Sequence, residues 1–286
     1  MSQYEVYRAV ASPQAALAVA NETSPFTIEV RFLDGLSEKQ KEAFRLAADR
    51  WTKAIVGDLP NVQVDGEVID DILILAQGTP IDGPGKILGQ AGPTALRPAN
   101  AGAAAYLPAK GIMSFDTADL DQMEKDGTLN DVIAHEMGHV LGFGTVWNYK
   151  KLLKNAGKIN PVFTGKQAKK EYATLLGVSR AREVPLENAG GPGTRDSHWR
   201  ETLFGNELMS GYVAAAGNPL SRLTLASLGD IGYKVDMNVA EPYSLPNLQH
   251  LAESGMLGVR AFAMAQEAGQ VLPNIPVVLP ADSLSV

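Results

Sequence analysis

The apolar positions change period several times along the first half of the chain, and each change predicts an element. Phe26-Thr-Ile-Glu-Val-Arg-Phe-Leu33 alternates apolar and polar residues, the mark of a half-buried strand. From Ser37 the spacing lengthens. Phe44, Ala47, Trp51 and Ile55 fall on one helical face and Ser37 is placed to cap it, which predicts a helix from Ser37 to about Ile55. Val62 to Val68 and Asp71-Ile-Leu-Ile-Leu-Ala76 read as two further strands, the second apolar enough to lie inside a sheet. A strand, a long helix and more strands predict a right-handed crossover over a mixed sheet. Asp82-Gly-Pro-Gly85 is a turn that leads to an extended run placed at the sheet edge. Ala95 to Ala109 is an Ala, Gly and Pro-rich loop, and Gly111 to Asp116 is another strand.

Helical spacing returns in Thr128 to Gly144, where Leu129, Val132, Ile133, Met137, Val140 and Leu141 form an apolar stripe. Thr128 or Asn130 can cap its start, and Gly142 with Gly144 can stop it and turn the chain. Beyond lies a polar, lysine-rich region with helical character at Asn148 to Lys154 and Thr164 to Leu176; its lysines read as a solvated face. A further helix is predicted over Ser221 to Gly232. Residues 1–24 have no strong periodicity and read as an N-terminal extension. The last fifty residues are Pro-interrupted and carry no interpretable motif. The expected division is 1–24, an N-terminal subdomain 25–144 and a C-terminal subdomain 145–286.

With 45% apolar and 20% charged residues, 286 residues can bury a sizeable core. No apolar run is long enough to span a bilayer, and a net charge of −7 argues against nucleic acid as a partner. The start, Met1-Ser-Gln-Tyr-Glu5, lacks the basic segment of a signal peptide, so secretion would need another route and the compartment stays open. The chain has no cysteine, which excludes disulfides, thiolate ligands and a cysteine nucleophile and leaves His, Asp and Glu as metal ligands.

Two of the four histidines sit four residues apart, in His135-Glu136-Met-Gly-His139. On a helix they project from one face and can place two imidazoles on one zinc ion, with Glu136 beside the metal as a general base. The competing view is a chance match with ordinary polar histidines. Asp116, Asp119, Asp121 and Asp126 lack calcium-loop spacing and read as caps and solvated charge. A catalytic zinc site needs a third protein ligand. Six residues after His139, where a compact motif would put it, stands Thr145. His198 follows 59 residues after His139 in the glycine-rich stretch Ala189 to Glu201, and a flexible loop of that kind can reach the metal. Asp196, Glu171 and Glu187 are alternatives, whereas His250 has no partner motif.

His135-Glu136-x-x-His139-x-x-Gly142, the delayed His198 and Met209 eleven residues later resemble the leishmanolysin-like branch of the metzincin zinc peptidases. Asp82-Gly-Pro-Gly85, Gly111 to Asp119, Asn160 to Gly165, Glu207-Leu-Met209-Ser-Gly211 and Leu225 to Tyr233 extend the resemblance from about Ser24 to Tyr243. It implies an α+β fold: a twisted, mixed and mostly parallel sheet with two long helices in the N-terminal half, a largely helical or irregular C-terminal half, and the active-site cleft between them. It implies Zn2+ held by His135, His139 and His198, Met209 in a turn beneath the metal, and cleavage of an extended peptide laid along an exposed edge strand at Ile87 to Ala91. A monomer is expected. The related enzymes often block the zinc with a propeptide cysteine, which this chain lacks. Two other functions remain at this level: a non-catalytic binding protein stapled by zinc, and a zinc hydrolase of a non-peptide amide.

Overall fold

The computed structural model describes residues 4–85, 87–191, 193–213, 216–247 and 270–285. The strands are β1 (Glu5–Val10), β2 (Thr27–Phe32), β3 (Val62–Val64), β4 (Glu67–Ile69), β5 (Ile72–Thr79), β6 (Ile87–Leu96), β7 (Pro108–Asp116), β8 (Leu153–Lys154), β9 (Val162–Phe163), β10 (Val184–Pro185), β11 (Gln270–Pro273) and β12 (Val277–Val278). The α-helices are α1 (Pro13–Ala15), α2 (Glu38–Ala54), α3 (Thr117–Asp126), α4 (Leu129–Val140), α5 (Lys166–Leu175), α6 (Glu201–Phe204) and α7 (Arg222–Ile231). The main sheet runs β1-β2-β5-β7-β6-β11, with β12 continuing along β6. It is mixed: β2, β5 and β7 are parallel, β1 is antiparallel to β2, β6 is antiparallel to β7, and β11 is parallel to β6.

Ser37 starts α2 with a full capping box, its hydroxyl accepting from Gln40 N while the Gln40 side chain accepts from Ser37 N. The buried face of α2 packs Phe44 against Phe32 and Phe115 of the sheet and brings Trp51 to α4. The apolar run of β5 is buried on both sides: Ile72 and Ile74 join the main core, while Leu73 joins a second cluster with Val62, Val64 and Ile69 of the β3–β4 hairpin. The acidic residues after β7 act as acceptors for backbone and side-chain donors. Asp116 caps α3 through Ala118 N and also accepts from Ile81, Asp82 and Gly83, while Asp119 accepts from Gly85.

Four segments differ from the sequence reading. Val62 to Val68, read as one strand, turns at Asp65-Gly66 into the β3–β4 hairpin, which stands apart from the main sheet. Residues 5–10, read as part of an extension, form β1 and pair with all of β2. Their pattern is faint because this outer strand buries Ala9 and half-buries Tyr7 while leaving Val6 and Val10 exposed. Asn148 to Lys154 is a series of turns leading into β8, not a helix. Lastly, the run Ile87 to Ala91 is not an exposed edge: β11 pairs along it, matching Val271 with Gly89, Leu272 with Gln90 and Pro273 with Ala91.

Candidate metal centre

Helix α4 carries two of the candidate ligands. Ile133, Met137 and Val140 are fully buried, and Trp51 Nε1 of α2 donates to Ala134 O at 2.9 Å, so the helix is fixed from below. His135 and His139 share its other face with ring centroids 4.9 Å apart. At the helix end Gly142 adopts φ +106° and Gly144 φ +74°, conformations that suit glycine. Gly144 is also where the second support comes in. A Cβ there would lie 2.2 Å from Ser197 O, so the absence of a side chain lets the backbone just before His198 close onto the helix end.

The loop bearing His198 is tied down by buried carboxylates. Glu187 Oε1 accepts from Asn188 N and Ala189 N, both at 2.9 Å, and Oε2 accepts from Glu201 N at 2.8 Å. Glu187 N donates to His198 O at 2.9 Å. Behind the next residue, Trp199 N donates to Met209 O at 3.0 Å and its indole Nε1 to Thr224 Oγ1 at 2.9 Å. Glu207 then gathers Met209 N (2.6 Å), Ser221 Oγ (2.6 Å) and Thr224 Oγ1 (2.5 Å) on one carboxylate. Met209 lies directly under α4: a Cβ on Gly138 would meet Met209 Sδ at 2.8 Å and Cε at 2.9 Å.

These supports bring His135, His139 and His198 together. Their Nε2 atoms lie 2.9 Å (135–198), 3.1 Å (135–139) and 2.8 Å (139–198) apart. The Nδ1 atoms face backbone carbonyls: Leu208 O at 2.6 Å, Phe143 O at 2.9 Å and Thr194 O at 2.9 Å respectively. Carbonyls only accept, so each Nδ1 carries the proton and each Nε2 presents a lone pair to the other two. Three lone pairs at hydrogen-bond distance with no proton to share fit a cation. A tetrahedral zinc with bonds of about 2.0–2.1 Å wants donors only slightly farther apart. Burial depresses the imidazoles, to about 4 for His135 and about 3 for His139, so the triad is neutral, as a ligand set must be. Burial alone raises the adjacent Glu136 carboxyl to about 8.

The triad opens onto a cleft of about 280 Å³ lined from one side by Leu88, Ala91, Val132 and Glu136 and from the other by Thr194, Tyr212 and Val213. Thr145 lines it as well but turns its hydroxyl back to His139 O at 2.9 Å. The alternative ligands are engaged elsewhere. Asp196 accepts from Gly157 N, Glu187 from three backbone amides, and Glu171 pairs with Arg222. His250 lies outside the described residues. Gly138 had no signal of its own; Gly144 reads in sequence as a helix stop and not as the seat of the His198 loop, and Glu207 only as part of the stretch around Met209. Glu207 stands two residues before Met209, but its partners are up to 17 residues away.

Comparison with known proteins defines the class. Residues 80–249 match the family model described as leishmanolysin, peptidase family M8. A leishmanolysin homolog from Crithidia fasciculata is 30% identical over 44% of this chain and 20% of its own length. Leishmanolysin from Leishmania major is 28% identical over 47% of this chain and 23% of its own, and a leishmanolysin-like peptidase from Caenorhabditis elegans is 39% identical over 26% and 11%. The family match covers more than half of the chain, which therefore belongs to the leishmanolysin family of metallopeptidases. The stretches matched span less than a quarter of each of these relatives. Among the described residues no helix is long and apolar enough to cross a membrane.

Proposed function

We propose that the chain is a zinc-dependent endopeptidase, with His135, His139 and His198 as the metal ligands and Glu136 as the group that moves the proton. The observation that carries this reading is the convergence of three Nε2 lone pairs whose Nδ1 protons are all committed to backbone carbonyls. The chemistry zinc supplies there is Lewis acidity toward water and toward a peptide carbonyl. With a cation on the triad the neighbouring Glu136 carboxyl is favoured in its ionised form, and that carboxylate, on the cleft wall, takes the proton of the attacking water and returns it to the leaving amide nitrogen. A site that only stapled the fold would have no use for a carboxyl group held beside its ligands at the desolvation cost that burial imposes.

In this reading the arrangement is the metzincin one. Met209 forms the apolar floor beneath the ligands, and the chain before and after Gly144 supplies the two walls of the cleft. The substrate is an extended peptide that passes the metal along β6, on the line β11 takes in this structure.

The test is cleavage of casein by the protein and by Glu136→Ala, with zinc content measured for both. The expected result is about one zinc in each and cleavage by the first alone. Zinc in both with cleavage by neither sinks the peptidase reading, and zinc in neither sinks the ligand set.

A further inference from the structure

The segment that fills the edge of β6 also reaches into the cleft. Val271, Pro273 and Asn274 line the same cavity as the three histidines and Glu136. Two glycines make room for it. On the sheet side, Gly92 has φ +149°, a Cβ there would sit 3.4 Å from Asn274 N, and Asn274 Nδ2 donates to Gly92 O at 3.4 Å. On the loop that delivers His198, Gly193 has φ +94°, and a Cβ there would lie 3.1 Å from both Pro273 Cδ and Val271 O. The segment is thus clasped between the strand and the loop that wall the candidate centre.

Its hold is nevertheless slight. The ladder to β6 has four residue pairs and a register shift between Gln270 and Val271, and Pro273 has no N–H to donate to it. The apolar surface buried in compensation is modest: Val271 packs against the main core, but Leu272 is 36% exposed, Val277 67% and Ile275 93%. Backbone pairing, more than side-chain burial, keeps the segment in place. A competing strand with the same backbone groups can replace that kind of contact.

We propose that residues 270–274 are a built-in ligand of the peptide groove, occupying the cleft-side edge of β6 until an extended peptide displaces them. The inference rests on the peptidase reading for its purpose, since it regulates access to that site, but its physical content is strand exchange on β6. As an intramolecular ligand the segment competes at the effective concentration its tether sets, so it restrains access even where its own contacts are weak.

Gln90 and Leu272 face each other in register and are both exposed. Neighbouring strands lie about 4.8 Å apart, within the roughly 4.4–6.8 Å between Cα atoms that a disulfide bridges. The chain has no other cysteine, so the double variant Gln90→Cys/Leu272→Cys forms a single intramolecular bond. Two readouts are compared in its oxidised and reduced forms. One is anisotropy of a fluorescein-labelled peptide of the sequence 270–279, measured with Glu136→Ala added. The other is casein cleavage with Glu136 intact. Closing the disulfide is expected to lower peptide affinity and cleavage by about tenfold or more, and reduction to restore both. Equal affinities in the two forms overturn the proposal, whatever the rates do. Redox-dependent binding with no cleavage in either form leaves strand exchange standing and sinks the peptidase reading; equal binding with equal cleavage does the reverse. Should the double variant not fold, Val271→Asp serves instead: it is expected to raise peptide affinity, and an unchanged affinity overturns the proposal.

Discussion

Helix α4 holds His135 and His139 by periodicity: two residues four apart share a face, and an apolar stripe opposite them is buried under Trp51. The loop that holds His198 has neither periodicity nor a stripe. Its position comes from Glu187 and Glu207, whose buried carboxylates collect backbone and hydroxyl donors from Asn188, Ala189, Glu201, Met209, Ser221 and Thr224. One support is built from apolar packing, which adjusts to small changes in volume. The other is built from polar acceptors that leave several donors stranded when removed. The same cluster of imidazoles is therefore expected to be tolerant on one side and brittle on the other.

The largest effect expected from this contrast is at Glu207, which is 1% exposed. Glu207→Leu removes the acceptor of four buried donors, Met209 N, Ser221 N, Ser221 Oγ and Thr224 Oγ1, at about 1–3 kcal/mol for each left stranded, and should lower stability by about 3 kcal/mol or more, read as the urea midpoint. A loss under about 1 kcal/mol would break the comparison. Next comes the point where the two supports meet. Gly144→Ala puts a Cβ against Ser197 O in a left-handed conformation, at an expected cost of about 1–3 kcal/mol. Because Ser197 precedes His198, zinc affinity should fall with it. Stability lost with affinity unchanged would show that the loop is not positioned through this contact.

On the helix side, Gly138→Ala should cost about 1 kcal/mol. Alanine's better helix propensity offsets part of the overpacking, and the nearest atoms at the flexible end of Met209 can yield while the Trp51 ring resists. A loss as large as that of Glu207→Leu would remove the distinction between the supports. The smallest effect concerns the turn that follows Gly144. Burial lowers Lys150 to about 8. Between there and the ordinary value of 10.5 the unfolded chain binds more protons, so this residue makes stability rise with pH in that window and adds no slope below it. Lys150→Met should flatten the rise of Tm between about pH 8 and 10; an unchanged slope would assign the rise to other groups.

What was legible in the sequence follows the same divide. The helices at Ser37, Thr128 and Ser221 announce themselves through period and the strand at Asp71 through its apolar run, since the residues that set them lie close in the chain; the Ser37 cap forms as read, whereas the Thr128 side chain makes no capping hydrogen bond. The spacing of His135 and His139 is legible for that reason. Glu187 and Glu207 look like any charged loop residue, because their partners are amides brought near only by the fold. The edge strand was misplaced on similar grounds. Nothing within Val271-Leu272-Pro273 distinguishes a parallel strand from a Pro-interrupted tail, and its partner lies about 180 residues back in the chain.

The two margins of the main sheet carry a further consequence. An open strand edge is a template for pairing with another copy of the chain, and proteins blunt such edges with charge, proline and bulges. Here β1 bears Glu5 and Arg8, while β11 bears Pro273 and a register shift. Lifting β11 uncovers β6, ten residues long and rich in small and apolar side chains. Each opening of the cleft therefore also exposes a surface that invites self-association, and the solubility of the protein depends on how briefly that strand stays bare.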